Sequence, residues 1–196
     1  MHEPILTNRF EHALHYAFQL HRAQTRKGTP VPYMAHLLSV AGLVLEDGGD
    51  EDEAIAGLLH DAVEDCGGLQ TLAEIQSIFG DRVAGIVNDC TDSYSIQKAP
   101  WRERKEAYLL KLEHATESSL RISLADKLHN ARSLLTDLFR SGEKTWDRFN
   151  GGKDGTIWYY QQLLHVFERK KKSWLTDEFG RVLDQIELLV DDRNSI

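Results

Sequence analysis

The sequence predicts a single all-α domain of about eight to ten helices. Only four prolines occur, and three of them lie within the first 32 residues. Because proline interrupts helices, the rest of the chain can be largely helical. No segment combines sustained period-two alternation with enrichment in β-branched residues, so no strand is predicted. The 196 residues suit one domain, and no repeat or long linker divides them.

Capping residues and helix breakers delimit the helices in order along the chain. Thr7 and Asn8 can cap a first helix, and the acidic residues 50–53 suit the start of a third. Thr71, three residues before a glutamate, is a capping-box signal. Two prolines and a glycine make residues 26–33 a loop. The predicted helices span about residues 8–24, 36–45, 50–63, 71–79, 81–90, 100–114, 118–138, 156–171 and 176–190.

Charge and cysteine content narrow the classes of function. The chain has 31 acidic and 23 basic residues, a formal charge of −8 and a pI near 5.6. This disfavours a nucleic-acid or anionic-membrane partner, which would require a basic face. Two cysteines, Cys66 and Cys90, favour a reducing compartment. With no signal-peptide pattern and no apolar stretch of spanning length, we expect a soluble cytoplasmic protein.

Metal-binding side chains are concentrated in LLHDAVED, residues 58–65. His60 and Asp61 are adjacent, so both can reach one ion beside a helix. Glu64 follows one turn later on the same side, and Asp65 adds a third carboxylate. The alternative is a solvated acidic helix end. Because carboxylates at a helix C-terminus face the negative end of the dipole, the pattern favours a bound cation.

Two other segments supply further candidate ligands. Asp126 and Asn130 are four residues apart and share a helix face, although alone they could be a hydrogen-bonded pair. His36 directly follows the proline-rich loop. In chain order, His36, the pair His60 and Asp61, and then Asp126 follow the ordered pattern of an HD-domain metal site. Two imidazoles, two carboxylates and no thiolate suit Mn²⁺, with Fe²⁺ or Zn²⁺ as alternatives, and leave positions for water and a phosphate oxygen.

Four stretches resemble the hydrolase domain of the RelA/SpoT homologue family, which degrades the alarmones (p)ppGpp: RKGTPVPYMAH, LLHDAVED, FGDRVAGIVNDCTD and SLADKLHNAR. The resemblance runs from about Ala13 to Leu138. It implies one HD-type domain over residues 1–196, with core motifs in 13–138 and a helical C-terminal extension in 139–196. The extension is too short for a synthetase domain, so the chain is most similar to stand-alone small alarmone hydrolases.

The resemblance implies roles for individual residues. It implies four Mn²⁺ ligands, which are His36, His60, Asp61 and Asp126. It implies that Glu64 and Asp65 orient and deprotonate the attacking water. The basic pair that packs on guanine and holds phosphate is then Arg26 and Lys27, and the nucleoside pocket is lined by Asn130 and Arg132. The implied products are GDP or GTP and pyrophosphate.

The last third of the chain offers weaker candidates. NGGKDG, residues 150–155, is predicted as a loop that enters a helix. Backbone N–H groups there favour anions, so Lys153 could reach a 5′-phosphate. Tyr159 could close over the nucleoside, or it could simply be buried in the core. For WRERK, residues 101–105, a solvated helix face is favoured, although one of its cations could clamp a phosphate.

Three functions remain open at this point. The first is Mn²⁺-dependent hydrolysis of the 3′-pyrophosphate of (p)ppGpp, which would end or tune the stringent response. The second keeps the metal site but acts on NADPH or another phosphorylated nucleotide, because the same arginine and asparagine can hold either purine. The third is a catalytically silent alarmone sensor, which would predict a broken ligand set. In each case the partner is a small nucleotide, and a homo-oligomer is left open.

Overall fold

The computed structural model describes residues 5–91 and 99–194, with side chains up to residue 190. Within these residues it contains ten α-helices, one 3₁₀ helix and no strand beyond an isolated bridge between Thr25 and Pro32. This confirms the predicted all-α class. The α-helices are α1 (Asn8–His21), α2 (Met34–Glu46), α3 (Glu51–Leu59), α4 (Ala62–Cys66), α5 (Leu69–Phe79), α6 (Asp81–Cys90), α7 (Trp101–Glu113), α8 (Glu117–Ser141), α9 (Gly152–Lys170) and α10 (Trp174–Asn194), and the 3₁₀ helix is Gly142–Arg148.

Helix α8 is the centre of the bundle. It packs against α2, α3, α6, α9, α10 and the 3₁₀ helix. Its buried face is formed by apolar residues, among them Ile122, Leu124, Leu128 and Leu134. Asp126 lies within this apolar face and is only 7% exposed. Because a buried carboxylate is costly unless it is paired, its surroundings mark the site. None of the described helices has both the length and the apolar character needed to cross a membrane.

A break after Leu59 divides the predicted helix 50–63 in two. α3 ends at Leu59 and α4 begins at Ala62, so His60 and Asp61 form the junction. α3 is buried from Glu53 to Leu59 and packs against α1, α2 and α6, whereas α4 packs against α1 and α5. The prediction of one continuous helix was therefore wrong. The change of packing partners requires a turn that no glycine or proline marks in the sequence.

Two glycines within residues 150–155 allow close packing at the start of a helix, whereas the sequence analysis assigned this segment to a loop. α9 begins at Gly152, so most of the predicted loop is helical. A Cβ on Gly151 would lie 2.7 Å from Cη2 of Trp101, and one on Gly155 would lie 3.2 Å from Cζ3 of the same ring. These glycines allow the start of α9 to pack closely on Trp101, which explains why the loop prediction was wrong.

Elsewhere the predicted boundaries differ only at helix ends, apart from the unpredicted 3₁₀ helix. α1 ends at His21 rather than near residue 24, where the chain turns into the proline-rich loop. The last residue of the FGDRVAGIVNDCTD motif, Asp92, lies outside the described residues. The difference at the end of α1 is small, since helix termini depend on local capping that hydrophobic periodicity does not report.

A substitution at Gly28 tests the turn in the loop between α1 and α2. Gly28 has φ of +71°, and a Cβ there would lie 2.6 Å from Cδ of Arg148. We expect Gly28→Ala to lower the free energy of unfolding by about 1–2 kcal/mol, the cost of left-handed backbone for an L-residue. Urea denaturation would measure it. Gly85→Ala is the matched control, because Gly85 is helical and has open space around it. Equal losses in the two variants would contradict this explanation.

Candidate metal centre and adjoining cavity

Three buried side chains from separate parts of the chain meet at one point. His36 lies in the first turn of α2, His60 follows α3, and Asp126 lies in α8, and their ligand atoms are all within 4.8 Å of one another. Oδ1 of Asp126 is 3.3 Å from Nε2 of His36 and 3.7 Å from Nε2 of His60. Oδ2 of Asp61 lies 3.0 Å from Nε2 of His60 and 3.5 Å from Nε2 of His36. The structure thus brings all four predicted ligands together.

The two imidazoles of this cluster each present a buried nitrogen without a hydrogen-bond partner among the described residues: Nε2 of His36 and Nε2 of His60. Nδ1 of His60 lies 2.8 Å from the carbonyl oxygen of Gly57, so it carries a proton, and Nε2 is the nitrogen that faces the carboxylates. A buried polar atom left unpaired is costly. Nitrogen and oxygen donors without a thiolate fit a divalent cation, which would satisfy both nitrogens.

The opposite charges of the cluster shift the pKa values of its members so that each charged form is favoured. Burial raises the pKa values of Asp61 and Asp126, but neighbouring cationic groups outweigh it and hold both well below their ordinary range: His60 for Asp61, and Lys127 for Asp126. Burial lowers the pKa of His60, but the carboxylates of Asp61 and Asp126 hold it well above its ordinary value. A cation at Nε2 must therefore displace a proton, so we expect metal binding to weaken as the pH falls.

The two candidate carboxylate ligands are oriented by three neighbouring side chains, of which the sequence analysis paired Asn130 with Asp126 but missed Tyr33 and Lys127. Tyr33 donates a hydrogen bond from its hydroxyl to Oδ2 of Asp61 at 2.6 Å. Nζ of Lys127 lies 2.5 Å from Oδ2 of Asp126, while Nδ2 of Asn130 lies 2.5 Å from Oδ1. A lysine next to an aspartate within the apolar face of α8 was the available signal for Lys127. No comparable signal pointed to Tyr33.

The predicted water-activating pair, Glu64 and Asp65, lies in the first turn of α4. The sequence argument placed these carboxylates at the C-terminal end of a helix, where the dipole opposes them. That argument was wrong, because the break after Leu59 puts them at the positive end of a new helix. Nε2 of Gln24 donates to Oδ2 of Asp65 at 2.8 Å. Partial burial and the charges of Asp61 and Glu64 raise the pKa of Asp65.

A cavity of about 780 Å³ adjoins the metal centre. Its walls come from the loop before α2, from the first turns of α2, which include His36, and from α7, α8, the 3₁₀ helix and α9. Among the described residues that line it, eight are Lys or Arg and one, Asp137, is acidic. The cations are Arg26, Lys27, Arg104, Lys105, Lys127, Arg132, Arg140 and Arg148. The cavity is therefore positive although the chain carries a net charge of −8, which favours a polyanionic ligand.

Five of the predicted substrate residues line this cavity, among them Arg26, Lys27, Asn130 and Arg132. Nη2 of Arg26 lies 2.5 Å from Oδ1 of Asn130, which in turn reaches the ligand Asp126. Lys27 donates to Oδ1 of Asn150 at 3.3 Å. Arg132 lines the cavity while Nη2 lies 2.8 Å from Oε1 of Glu178 in α10. The loop of residues 26–33 is thus connected directly to the metal centre.

The weaker candidates of the last third lie in different places. Tyr159 is 6% exposed, as the interpretation of a core residue expects, and it also lines the cavity; its closure over a nucleoside stays a prediction. Nζ of Lys105 lies 5.0 Å from the centre of the Tyr159 ring. Arg104 and Lys105 both line the cavity. Lys153 is not among the lining residues; its Nζ lies 3.7 Å from Oε1 of Glu143.

Comparison with known proteins places this site in a family. A model of the HD domain matches residues 13–157. The guanosine-3′,5′-bis(diphosphate) 3′-pyrophosphohydrolase MESH1 of Xenopus tropicalis is 38% identical over 125 residues, which cover 62% of this chain and 67% of the relative. The MESH1 of Drosophila melanogaster is 38% identical over 132 residues, 64% of this chain and 69% of the relative.

Two solved structures share the fold. A metazoan orthologue of SpoT, described as hydrolysing ppGpp and acting in starvation responses, matches with a TM-score of 0.76 and 27% identity over 94% of this chain and 98% of its own. The protein lmo0812 of Listeria monocytogenes matches with a TM-score of 0.67 and 32% identity over 77% of this chain and 97% of its own. The chain belongs to the HD-domain family, and the predicted resemblance to its small RelA/SpoT-type hydrolases is confirmed.

Proposed function

We propose that this protein is a Mn²⁺-dependent hydrolase that removes the 3′-pyrophosphate of (p)ppGpp, giving GDP or GTP and pyrophosphate. The observation that carries the proposal is the pair of buried imidazole nitrogens that lack hydrogen-bond partners among the described residues and face two carboxylates beside a cationic cavity. The naming of the MESH1 relatives as 3′-pyrophosphohydrolases supports the choice of substrate. Mixed imidazole and carboxylate ligands support Mn²⁺.

The metal ligands in this proposal are His36, His60, Asp61 and Asp126. A divalent cation held there would polarise a phosphoryl oxygen and lower the pKa of a neighbouring water. The orienting hydrogen bond from Tyr33 and the ion pair with Lys127 hold the two carboxylates in place. These residues therefore make the site rigid before the substrate arrives.

Glu64 and Asp65 are the proposed proton acceptors. They take the proton of the attacking water, as a positioned carboxylate does in general base catalysis. The water oxygen forms a bond to the phosphorus that carries the ribose 3′-oxygen. The bond between that phosphorus and the 3′-oxygen breaks, pyrophosphate is released with the water oxygen, and the proton that the carboxylate took from the water passes to the 3′-oxygen, which becomes a hydroxyl.

The cavity residues hold the nucleotide. The guanidinium of Arg26, fixed by Asn130, can stack on the guanine, and Arg132 lies beside the nucleoside. Lys27 and the other lining cations offset the charge of two phosphate chains. A volume of about 780 Å³ lies in the range typical of small-molecule sites. Contact of Lys153 with a 5′-phosphate stays a prediction.

The cellular setting follows from the proposed substrate. Both cysteines are free thiols, in keeping with the reducing cytoplasm, where we propose that the enzyme acts. The nucleotide is the proposed partner. Its hydrolysis would end or tune the stringent response.

Product analysis tests the function. Metal-stripped protein is incubated with ppGpp, with and without Mn²⁺, and the nucleotides are separated by anion exchange. We expect GDP and pyrophosphate only with Mn²⁺, and not from Asp61→Ala, which controls for contaminating hydrolases. Intact ppGpp in every reaction would contradict the proposed substrate. Phosphate release from NADPH alone would assign the site to the alternative nucleotide.

A further inference from the structure

We propose that His129 is a positioning residue for the metal ligand His36. In this proposal, which rests on the metal centre of the proposed function, Nδ1 of His129 accepts the proton on Nδ1 of His36. That hydrogen bond fixes the tautomer of His36 whose Nε2 lone pair points at the cation. Neither the predicted ligand set nor the predicted substrate residues include His129.

The geometry of the pair supports this role. Nδ1 of His36 and Nδ1 of His129 are 2.7 Å apart, and the ring centres are 4.8 Å apart. His36 is 1% exposed, so bulk water does not compete for its Nδ1. His129 lies three residues after Asp126, on the same face of α8. One helix therefore supplies both a ligand and the support of a second ligand.

The chemistry gives the hydrogen bond a direction. A neutral imidazole that binds a metal through Nε2 carries its proton on Nδ1, where it needs an acceptor. For His60 that acceptor is the carbonyl oxygen of Gly57, at 2.8 Å. For His36 it is Nδ1 of His129, because two nitrogens that both carried protons would repel at 2.7 Å. The proton of His129 then lies on its Nε2.

Replacing His129 by two residues of similar shape, Asn and Leu, tests whether the hydrogen-bond acceptor itself matters. Asn and Leu have similar shapes, but only Asn places an oxygen near the position of Nδ1 of histidine. Mn²⁺ affinity is measured by titration calorimetry on metal-stripped full-length protein. His165→Leu is the control for loss of a histidine as such, because His165 is exposed on α9.

We expect His129→Leu and His129→Phe to bind Mn²⁺ about 10–100-fold more weakly than wild type, the usual cost of losing a partner of a ligating histidine. His129→Asn should retain affinity within a few-fold, and His165→Leu should match wild type. Two variants without an acceptor are used because one of them could fail to fold. The melting temperature of each metal-free variant shows whether it is folded.

Mn²⁺ affinity within two-fold of wild type in a folded acceptor-free variant would overturn the proposal. Equal losses in His129→Asn and His129→Leu would also overturn it, since shape rather than the acceptor would then matter. A wild type that binds no Mn²⁺ would overturn both the metal centre and the role of His129. A wild type that binds Mn²⁺ but leaves ppGpp intact would overturn only the proposed substrate.

Discussion

Replacing Glu64 by Gln is expected to slow ppGpp hydrolysis by about 10²–10⁴-fold, the usual contribution of a positioned general base. Gln keeps the shape of the side chain but cannot take up the proton of the attacking water. Glu64 lies in α4, outside the cluster of ligand atoms formed by His36, His60 and Asp126. We therefore expect the affinity for Mn²⁺ to stay within a few-fold of wild type.

Two measurements separate these effects. Pyrophosphate release from saturating ppGpp gives the turnover rate, and titration calorimetry gives the Mn²⁺ affinity. Glu168→Gln, an exposed glutamate of α9, is the control and should be fully active. Turnover above a third of the wild-type rate in Glu64→Gln would contradict the role of general base. A parallel loss of Mn²⁺ affinity would make Glu64 a ligand instead.

Replacing Arg121 by Met is expected to lower the free energy of unfolding by about 3–5 kcal/mol, the cost of removing one partner from a buried ion pair. Nη1 of Arg121 lies 2.6 Å from Oε1 of Glu53, and its Nε lies 3.0 Å from Oδ2 of Asp47. Both carboxylates are nearly fully buried, with side-chain exposures of 5% and 3%. Met fills a similar volume, but it leaves these charges with Lys171 as the remaining cation, 3.4 Å from Asp47.

Urea denaturation of the metal-free protein measures this loss without the contribution of bound metal. Arg181→Met is the matched control, since Arg181 is exposed and pairs with Glu178 one turn away along α10. An exposed pair of this kind contributes about 1 kcal/mol or less. Similar losses in the two variants would contradict the importance of the buried cluster, in which Arg121 joins α8 to α3 and to the end of α2.

The meeting of the four candidate ligands at one point was predictable because the required residue types stand in a fixed order along the chain. His36, His60, Asp61 and Asp126 come from separate parts of the fold, yet each lies in or beside a helix whose apolar pattern is clear. The all-α class followed from the scarcity of proline and the capping residues. These signals are local, so a single sequence contains them.

The missed features depend on contacts between distant segments. The break after Leu59 accompanies a change of packing partners, from α2 and α6 for α3 to α5 for α4, and the residues at the junction are neither Gly nor Pro. Tyr33 and His129 contact candidate ligands that are distant along the chain, Asp61 and His36 respectively, at positions that spacing does not reveal. Gly151 was predicted for a loop, whereas its role is to admit Trp101. Tertiary packing, rather than propensity, decides each of these.

A titration of metal-stripped protein with Mn²⁺ tests the central claim most directly. Bound metal and ppGpp hydrolysis are measured on the same samples as Mn²⁺ is added. The cluster of His36, His60, Asp61 and Asp126 predicts that activity rises in proportion to occupancy and saturates at one ion per chain. Full hydrolysis by metal-free protein would contradict it, as would one tightly bound ion per chain without formation of GDP.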